Sequence, residues 1–206
     1  MVTFLQGFWV SPKRYPDFAW AWLTRFLVST GNHMVTIYLL YFLSDAVRLK
    51  ETEGIEPEFG GVLVVTGLYA VTVIITSVLG GRLSDRMGKR KPLVIASSAI
   101  IAAASLILAF APTWIGAIAG ATVLGIGFGA YLAVDFALIT EVLPAAMDRG
   151  RHLGVINIAN SLPQVLAPAI AFLFVKNLGG YVSLYVAAAV IGLLGAVFVV
   201  KIKSVA

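Results

Sequence analysis

The chain has 206 residues, of which 60% are hydrophobic and 12% are charged, and it contains no cysteine. Soluble domains are about 45–50% apolar and about 25% charged, so the composition excludes an ordinary water-soluble protein and predicts one whose surroundings are the lipid bilayer. The net charge of +5 lies mainly in short stretches between apolar runs. That placement favours an anionic membrane surface as the partner and argues against nucleic acid.

Six apolar runs approach or exceed the roughly 20 residues that a membrane-spanning helix needs. They predict an all-α membrane protein with six transmembrane helices, over about residues 18–42, 61–80, 93–111, 114–143, 153–174 and 181–200. The runs lack the two-residue alternation of barrel strands, and they are about twice as long. The predicted organisation is an N-terminal segment (1–17), a transmembrane domain (18–200) and a tail (201–206).

Lysine and arginine are distributed unequally between the two sides of this topology. Eleven fall on the side that holds both termini: Lys13, Arg14, Arg82, Arg86, Lys89, Arg90, Lys91, Arg149, Arg151, Lys201 and Lys203. Three fall on the other side: Arg48, Lys50 and Lys176. The excess of positive charge in cytoplasmic loops predicts that both termini are cytoplasmic, in a plasma (inner) membrane protein.

The stretch GRLSDRMGKRK connects the second predicted helix to the third. Its cations are explained by topology, but topology does not explain why an aspartate and two glycines stand among them. The pattern resembles the signature loop of the major facilitator superfamily, Gly-x-Leu-Ala/Ser-Asp-Arg-x-Gly-Arg/Lys-Arg/Lys, at the same place between two helices. The resemblance implies a conformational latch that holds the cytoplasmic side closed, formed by Gly81, Asp85, Arg86, Gly88, Lys89 and Arg90.

Other segments extend this resemblance. DFAWAWLTRFLVSTGNHMVTIYLLYFLSD is similar to the seventh helix of that superfamily, and GIGFGAYLAVDFALITEVLP with DRGRHLGVINIANSLPQ is similar to the tenth and eleventh. A weaker resemblance is to sugar-type symporters of the glycoside–pentoside–hexuronide and sucrose groups. The family fold has twelve helices, so the chain resembles its carboxyl-terminal six-helix half. A second half or a second copy of the chain is therefore the expected partner.

Two charged residues fall inside predicted spans. Each unpaired charge near a helix centre would cost about 2.5–3.5 kcal/mol on insertion scales. At about 1.5 Å per residue, Arg25 lies about 10 Å in from Phe18, and Asp135 about 12 Å in from Leu143. This shared depth predicts an ion pair between the first and fourth helices. The alternative is that Arg25 extends to the interface by itself while Asp135 is solvated.

Polar side chains at helical spacing form stripes on the first, fourth and fifth helices, and the resemblance implies that the first and fourth helices line a central cavity. The candidate substrate-binding residues are Asn32, His33, Thr36, Tyr131, Asn160 and Gln164. Histidine is the residue type used for proton transfer near physiological pH, so His33 is a candidate carrier of a coupling proton, or else a histidine that bonds to a neighbouring helix. The polar face of the fifth helix serves either a cavity or hydrogen bonds between helices.

The sequence contains no nucleophile–base set, metal-ligand cluster or phosphate-binding loop, so neither an enzyme nor a bound cofactor or metal is predicted. The resemblance implies half of a secondary transporter, or a fragment of one, that moves a small polar solute by alternating access. Sugars are one candidate solute and protons one candidate coupling ion. The alternative is a membrane scaffold, or a degraded transporter fragment, without transport activity.

Overall fold

The computed structural model describes residues 12–142 and 149–204, with the backbone alone between 149 and 153. This part of the chain is helical and contains no strand. Six long helices are α1 (Pro16–Ile37), α2 (Val62–Met87), α3 (Lys91–Phe110), α4 (Trp114–Val142), α5 (Arg149–Asn177) and α6 (Gly180–Val199). Shorter pieces are the α-helical Leu39–Tyr41 and Leu49–Glu53 and the π-helical Phe42–Ala46 and Pro57–Gly61.

Five of the long helices, α2 to α6, are each long and apolar enough to cross a membrane. The sixth span consists of α1 and the following Leu39–Ala46 segment, which are bent by 41° relative to each other. The all-helical fold is confirmed, and it is consistent with one six-helix half of the family fold. The predicted end of the fourth span, Leu143, and residues 1–11 lie outside the described part of the chain.

The first span differs from the straight helix predicted over 18–42, because α1 ends at Ile37 and the chain bends at Tyr38. The Thr36 hydroxyl donates to the carbonyl of Asn32 at 3.1 Å, within the last turn of the helix. Hydroxyls that bond to the preceding turn weaken the main-chain ladder and bend helices. Hydrophobicity alone does not report this competition, so the sequence pattern predicts the span but not its bend.

The six long helices pack in two groups of three that are related to each other. One group is α2, α3 and α4, and the other is α1, α5 and α6. The most extensively packed pairs of long helices are α2–α4, α3–α4, α1–α6, α3–α6, α1–α5, α5–α6 and α1–α4. Exchanging the first three helices with the last three maps α2–α4 onto α1–α5 and α3–α4 onto α1–α6, leaves α3–α6 and α1–α4 unchanged, and finds no counterpart for α5–α6 among these pairs. Such an exchange is expected of an inverted three-helix repeat, the arrangement found within each half of the superfamily's transporters.

Contacts between helix ends show that the α1 span and α6 run in opposite directions. The Asp17 carboxylate, at the start of α1, accepts hydrogen bonds from the backbone N–H groups of Lys203 (3.0 Å) and Ser204 (2.8 Å), just beyond α6. At the opposite end of the bundle, the Tyr181 hydroxyl at the start of α6 donates to Asp45 at 2.7 Å. The two ends of the described bundle are therefore each fixed by contacts between α6 and the α1 span.

Helix α2 packs along a glycine groove on α4. A side chain at Gly125 or Gly129 would overlap Thr72 or Thr76 of α2, so the two backbones approach closely only because both positions lack a Cβ atom. The Thr76 hydroxyl also donates to the carbonyl of Gly125 at 3.2 Å. These glycines therefore serve helix packing, as is common in membrane bundles.

The signature stretch is largely helical, whereas the sequence predicts a loop from Gly81 onward. Helix α2 continues to Met87, and Gly88 ends it with a left-handed backbone (φ 60°) whose N–H bonds to the carbonyl of Ser84 at 3.0 Å. Gly88 therefore makes the expected tight turn. Gly81 lies inside the helix, where an added Cβ would sit 3.8 Å from Ala133, an ordinary contact distance. The close approach to α4 is made by Gly80, 3.0 Å from Ala130 on the same measure.

Candidate functional site

Arg25 on α1 and Asp135 on α4 lie together inside the bundle. The Arg25 Nε atom is 2.7 Å from Asp135 Oδ2, and the two side chains are 5% and 2% exposed. The Tyr131 hydroxyl, one turn before Asp135 on α4, donates to Asp135 Oδ1 at 3.0 Å. The carboxylate is thus held between a cation on one helix and a hydroxyl on its own helix.

The contact between Arg25 and Asp135 leaves donors of the guanidinium unused. Although Nε and Oδ2 are close, they are not aligned as a hydrogen bond, so the contact is ionic. Arg25 Nη2 is also buried without a hydrogen-bond partner in the described part of the chain. The guanidinium carbon lies 5.5 Å from the centre of the Phe136 ring, which is 65% exposed. Arg25 is therefore buried, charged and incompletely paired.

A cavity of about 390 Å³ lies beside this pair, between α1, α4 and α5. Its polar lining comes from Arg25, Thr140, Asn157 and Asn160, and Phe136 contributes an aromatic face. The cavity therefore presents one cation, two amides and a hydroxyl. This is the chemistry of a site for a polar solute.

A second cluster lies two turns further along α1. Asn32 is buried and its amide donates to the Tyr69 hydroxyl of α2 at 3.2 Å. Thr36 and Tyr69 line a largely apolar cavity of about 330 Å³ between α1, α2, α3 and α4. His33 Nδ1 lies 2.7 Å from the carbonyl of Ser29, and since only an N–H can bond to a carbonyl, Nδ1 carries the proton.

A row of aromatic rings joins the two clusters. Tyr69 stacks on Phe128 with ring centres 6.4 Å apart, and Phe128 stacks on Tyr131 at 6.1 Å. Tyr69 bonds to Asn32, and Tyr131 bonds to Asp135. Continuous side-chain contacts therefore run from the second cluster, at Asn32 and Tyr69, to the ion pair across α1, α2 and α4.

The six candidate substrate-binding residues do not form one site. Thr36 lines the apolar cavity and Asn160 the polar one. Asn32 belongs to the second cluster through its bond to Tyr69, and His33 bonds within its own helix, whereas Tyr131 is fully buried and supports Asp135. Gln164 is exposed on α5, lines neither of these cavities, and donates only a long bond (3.5 Å) to the Asn160 carbonyl.

Three residues that the packing brings into the site, Tyr69, Phe136 and Asn157, are absent from the candidates that the sequence predicts. Tyr69 belongs to a threonine-rich face of α2 whose role the pattern alone could not assign. In the sequence, Phe136 cannot be distinguished from the other apolar residues of the fourth span, although it lies next to Asp135 and lines the polar cavity. Asn157 lies one turn before Asn160 on the polar face of α5, and this spacing was the available signal.

The candidate latch residues occupy the end of α2 and the turn before α3. Arg90 Nε is 2.6 Å from Glu141 Oε1 near the end of α4, so the bond to a carboxylate on another helix is made by Arg90. Arg86, another arginine of the candidate latch, makes no such bond in the described part of the chain. It is exposed, as are Asp85 and Lys89, and within the described part of the chain none of the three has a hydrogen bond or an ion pair.

Within residues 12–142 and 149–204, no group of three or more His, Cys, Asp or Glu side chains is arranged to hold a metal ion.

A search of curated proteins finds no significant match to the chain. The sequence profile described as Major Facilitator Superfamily matches residues 9–205. Because that match covers nearly the whole sequence, the chain belongs to the Major Facilitator Superfamily.

Proposed function

We propose that this chain is one half of a secondary transporter that moves a small polar solute by alternating access. Proteins of the superfamily are transporters that move small solutes across membranes, and this chain is an integral membrane protein of that kind. Alternating access in such folds is largely a rocking of one helix bundle against another around a site near the middle of the membrane. The transporter would lie in the plasma membrane with both termini cytoplasmic, as the distribution of lysine and arginine favours.

The observation that carries this proposal is the position of the polar groups. Arg25, Asn157 and Asn160 border one cavity between α1, α4 and α5 rather than being spread over the surface. Ionisable and polar residues within a membrane domain are costly, and they are retained mainly where they face a bundle interior or a water-filled pathway. Their convergence on one cavity therefore favours a solute pathway over a scaffold that only spans the bilayer.

A partner bundle is part of the proposal. In the most apolar 18-residue stretch of each span, 6% is buried in the α2 span and 22% in α5. The corresponding stretches of α3, α4 and α6 are 44–50% buried. Both α2 and α5 therefore offer surface to lipid and to a second bundle. A second half or a second copy of the chain would close the pathway on its open side.

The signature residues act as the latch in this proposal. Asp85 and Arg86 lie on the last turns of α2, exposed and without partners in the described structure, so they are available to a neighbouring bundle. An aspartate is suited to the positive amino end of a helix, and an arginine to a carboxylate. Arg90 is already engaged by Glu141, which positions the start of α3 against the end of α4.

The coupling ion proposed is the proton. Asp135 and His33 are the titratable candidates, since both lie inside the bundle and each hydrogen-bonds within the described structure. Solute uptake by reconstituted vesicles, measured with and without an imposed proton gradient over a panel of sugars and other polar solutes, tests the proposal. Gradient-dependent uptake supports it. Insertion and assembly without uptake of any solute would favour the scaffold.

A further inference from the structure

The polar cavity beside the ion pair has a wall made mainly of hydrogen-bond donors. Arg25, Asn157 and Asn160 supply N–H groups to a space of about 390 Å³, and Thr140, whose hydroxyl donates to the carbonyl of Ala137 at 2.7 Å, also borders it. Among the described residues that line it, none is acidic. The nearby carboxylate of Asp135 is already in contact with Arg25 and bonded to Tyr131. The cavity is therefore suited to a group that accepts hydrogen bonds.

Arg25 is the strongest donor in that wall and is only partly used. Arg25 approaches Asp135 through Nε, and its Nη2 makes no bond to the carboxylate, so the pair does not form the two parallel bonds that a guanidinium fork can donate. Nη2 is left buried and without a partner in the described residues. Leaving a charged donor buried and unsatisfied is unfavourable, and Arg25 borders the cavity, so an acceptor that reached its guanidinium from there would relieve this cost.

We infer that this cavity binds a carboxylate group of the transported solute. This inference rests on the proposed transport function and deepens it, because it names the chemical class of the solute. Carboxylate oxygens match the planar guanidinium fork better than single hydroxyls do, and Asn157 and Asn160 add neutral donors beside it. The exposed ring of Phe136 supplies an apolar surface for the rest of the solute.

The test uses the full chain in nanodiscs made only of zwitterionic phosphatidylcholine. The probes are lactate and succinate, their neutral counterparts lactamide and succinamide, and glucose as an uncharged polyol. Binding is measured by calorimetry. We expect each carboxylate to bind at least about tenfold more tightly than its amide, which corresponds to about 1.4 kcal/mol. Failure of both carboxylates to bind, or equal binding of acids and amides, overturns the inference.

Variants on α5 locate the binding. Asn157 is exposed at the cavity wall, so Asn157→Asp adds a negative charge there without disturbing a packed core, and should weaken lactate binding by about tenfold or more. The matched control is Ser161→Ala, one turn along the same helix. Ser161 is also exposed, and among the described residues its hydroxyl bonds to the Asn157 carbonyl alone, at 2.8 Å. It should change binding by less than about twofold, a difference that falls below one ordinary hydrogen bond. Equal effects of the two variants contradict the assignment.

Arg25→Lys provides a second, charge-conserving variant. It keeps the cation beside Asp135 but removes the planar fork, so we expect weaker lactate binding at an unchanged folded yield. Unchanged lactate affinity in this variant would overturn the role of Arg25.

A lipid headgroup carries the same anionic oxygen chemistry, and the arms of the experiment separate it from the solute. Adding phosphatidylglycerol to the nanodiscs should leave lactate affinity unchanged if the cavity serves solutes. Competition between that lipid and lactate, relieved by Asn157→Asp, would instead assign the cavity to a headgroup and overturn the inference. Tight glucose binding with no carboxylate binding would overturn the carboxylate assignment while leaving the transporter proposal intact.

Discussion

Arg25 and Asp135 are separated by 110 positions in the sequence, yet Nε and Oδ2 lie 2.7 Å apart inside the bundle. Both side chains are almost completely removed from the surface. Each charge is placed where the other compensates it, and removing one partner leaves a buried charge unpaired. The pair therefore joins α1 to α4 beside the cavity.

The first prediction concerns this pair. Asp135→Asn and Arg25→Gln should each lower the yield of folded protein sharply, because breaking a buried pair by removing one partner typically costs about 3–5 kcal/mol. The double variant should recover part of that yield, since it leaves no uncompensated charge. Folded yield is measured as the monodisperse fraction after extraction from the membrane.

The matched control for the pair is Glu141→Gln. Glu141 contacts Arg90 at a similar distance, 2.6 Å, but its side chain is 41% exposed. Exposed pairs contribute about 0–1 kcal/mol, so this variant should fold almost normally. Strictly additive losses in the double variant of Arg25 and Asp135 would contradict the coupling between them.

The second prediction concerns the latch. In a complete transporter, Asp85→Asn should reduce the transport rate strongly while leaving membrane insertion and folded yield unchanged, because Asp85 is exposed and has no partner within the described chain. Transport rate and yield are measured on the same preparation. Glu58→Gln, an exposed acidic residue at the other end of the bundle, is the control and should transport normally. If Asp85→Asn transports at the normal rate, the stretch serves only topology.

The third prediction concerns topology. The chain has no cysteine, so cysteines introduced singly at Lys50 and Lys89 can be labelled without interference. Both positions are exposed, at opposite ends of the helical bundle. A membrane-impermeant reagent should label Lys50→Cys from outside intact cells and Lys89→Cys only after the membrane is opened. Labelling of both sites from one side would contradict six alternating spans.

The fourth prediction concerns the groove between α2 and α4. Gly125→Ala places a methyl group against Thr72 and within 2.6 Å of the Tyr69 carbonyl, so the helices must separate. Overpacking of this kind typically costs about 1–3 kcal/mol, which thermal denaturation in detergent would report as a lower apparent Tm. Gly192→Ala is the matched control, because an added Cβ there meets no atom within 4 Å. Equal apparent Tm values for the two variants would mean that the groove is not tightly packed.

Hydrophobic run length predicts the six spans because a helix is the only local solution that satisfies an isolated backbone in lipid. Counting residues inward from the helix ends also brings Arg25 and Asp135 to the same depth, and the structure places them in contact. Depth is set by the constant rise of a helix, so it can be read from sequence. The direction in which a side chain points around the helix axis is set by packing, and that is harder to read.

The differences between sequence and structure have this origin. Arg90 contacts Glu141 whereas Arg86 does not, because the α2 helix extends to Met87 and carries Arg86 to an exposed position. Tyr69 meets Asn32 across α1 and α2, and the α4 glycines allow α2 to pack close to the bundle. The bend after Ile37 follows a turn in which the Thr36 hydroxyl bonds to its own helix.

The central claim is that this chain transports solute only together with a second bundle. The most direct measurement is solute uptake by vesicles in which the chain's assembly state has been determined by cross-linking in the same membrane. The account predicts uptake by vesicles that contain the chain with a second half or a second copy, and no uptake by vesicles that contain it as a monomer. Uptake by verified monomers would contradict it.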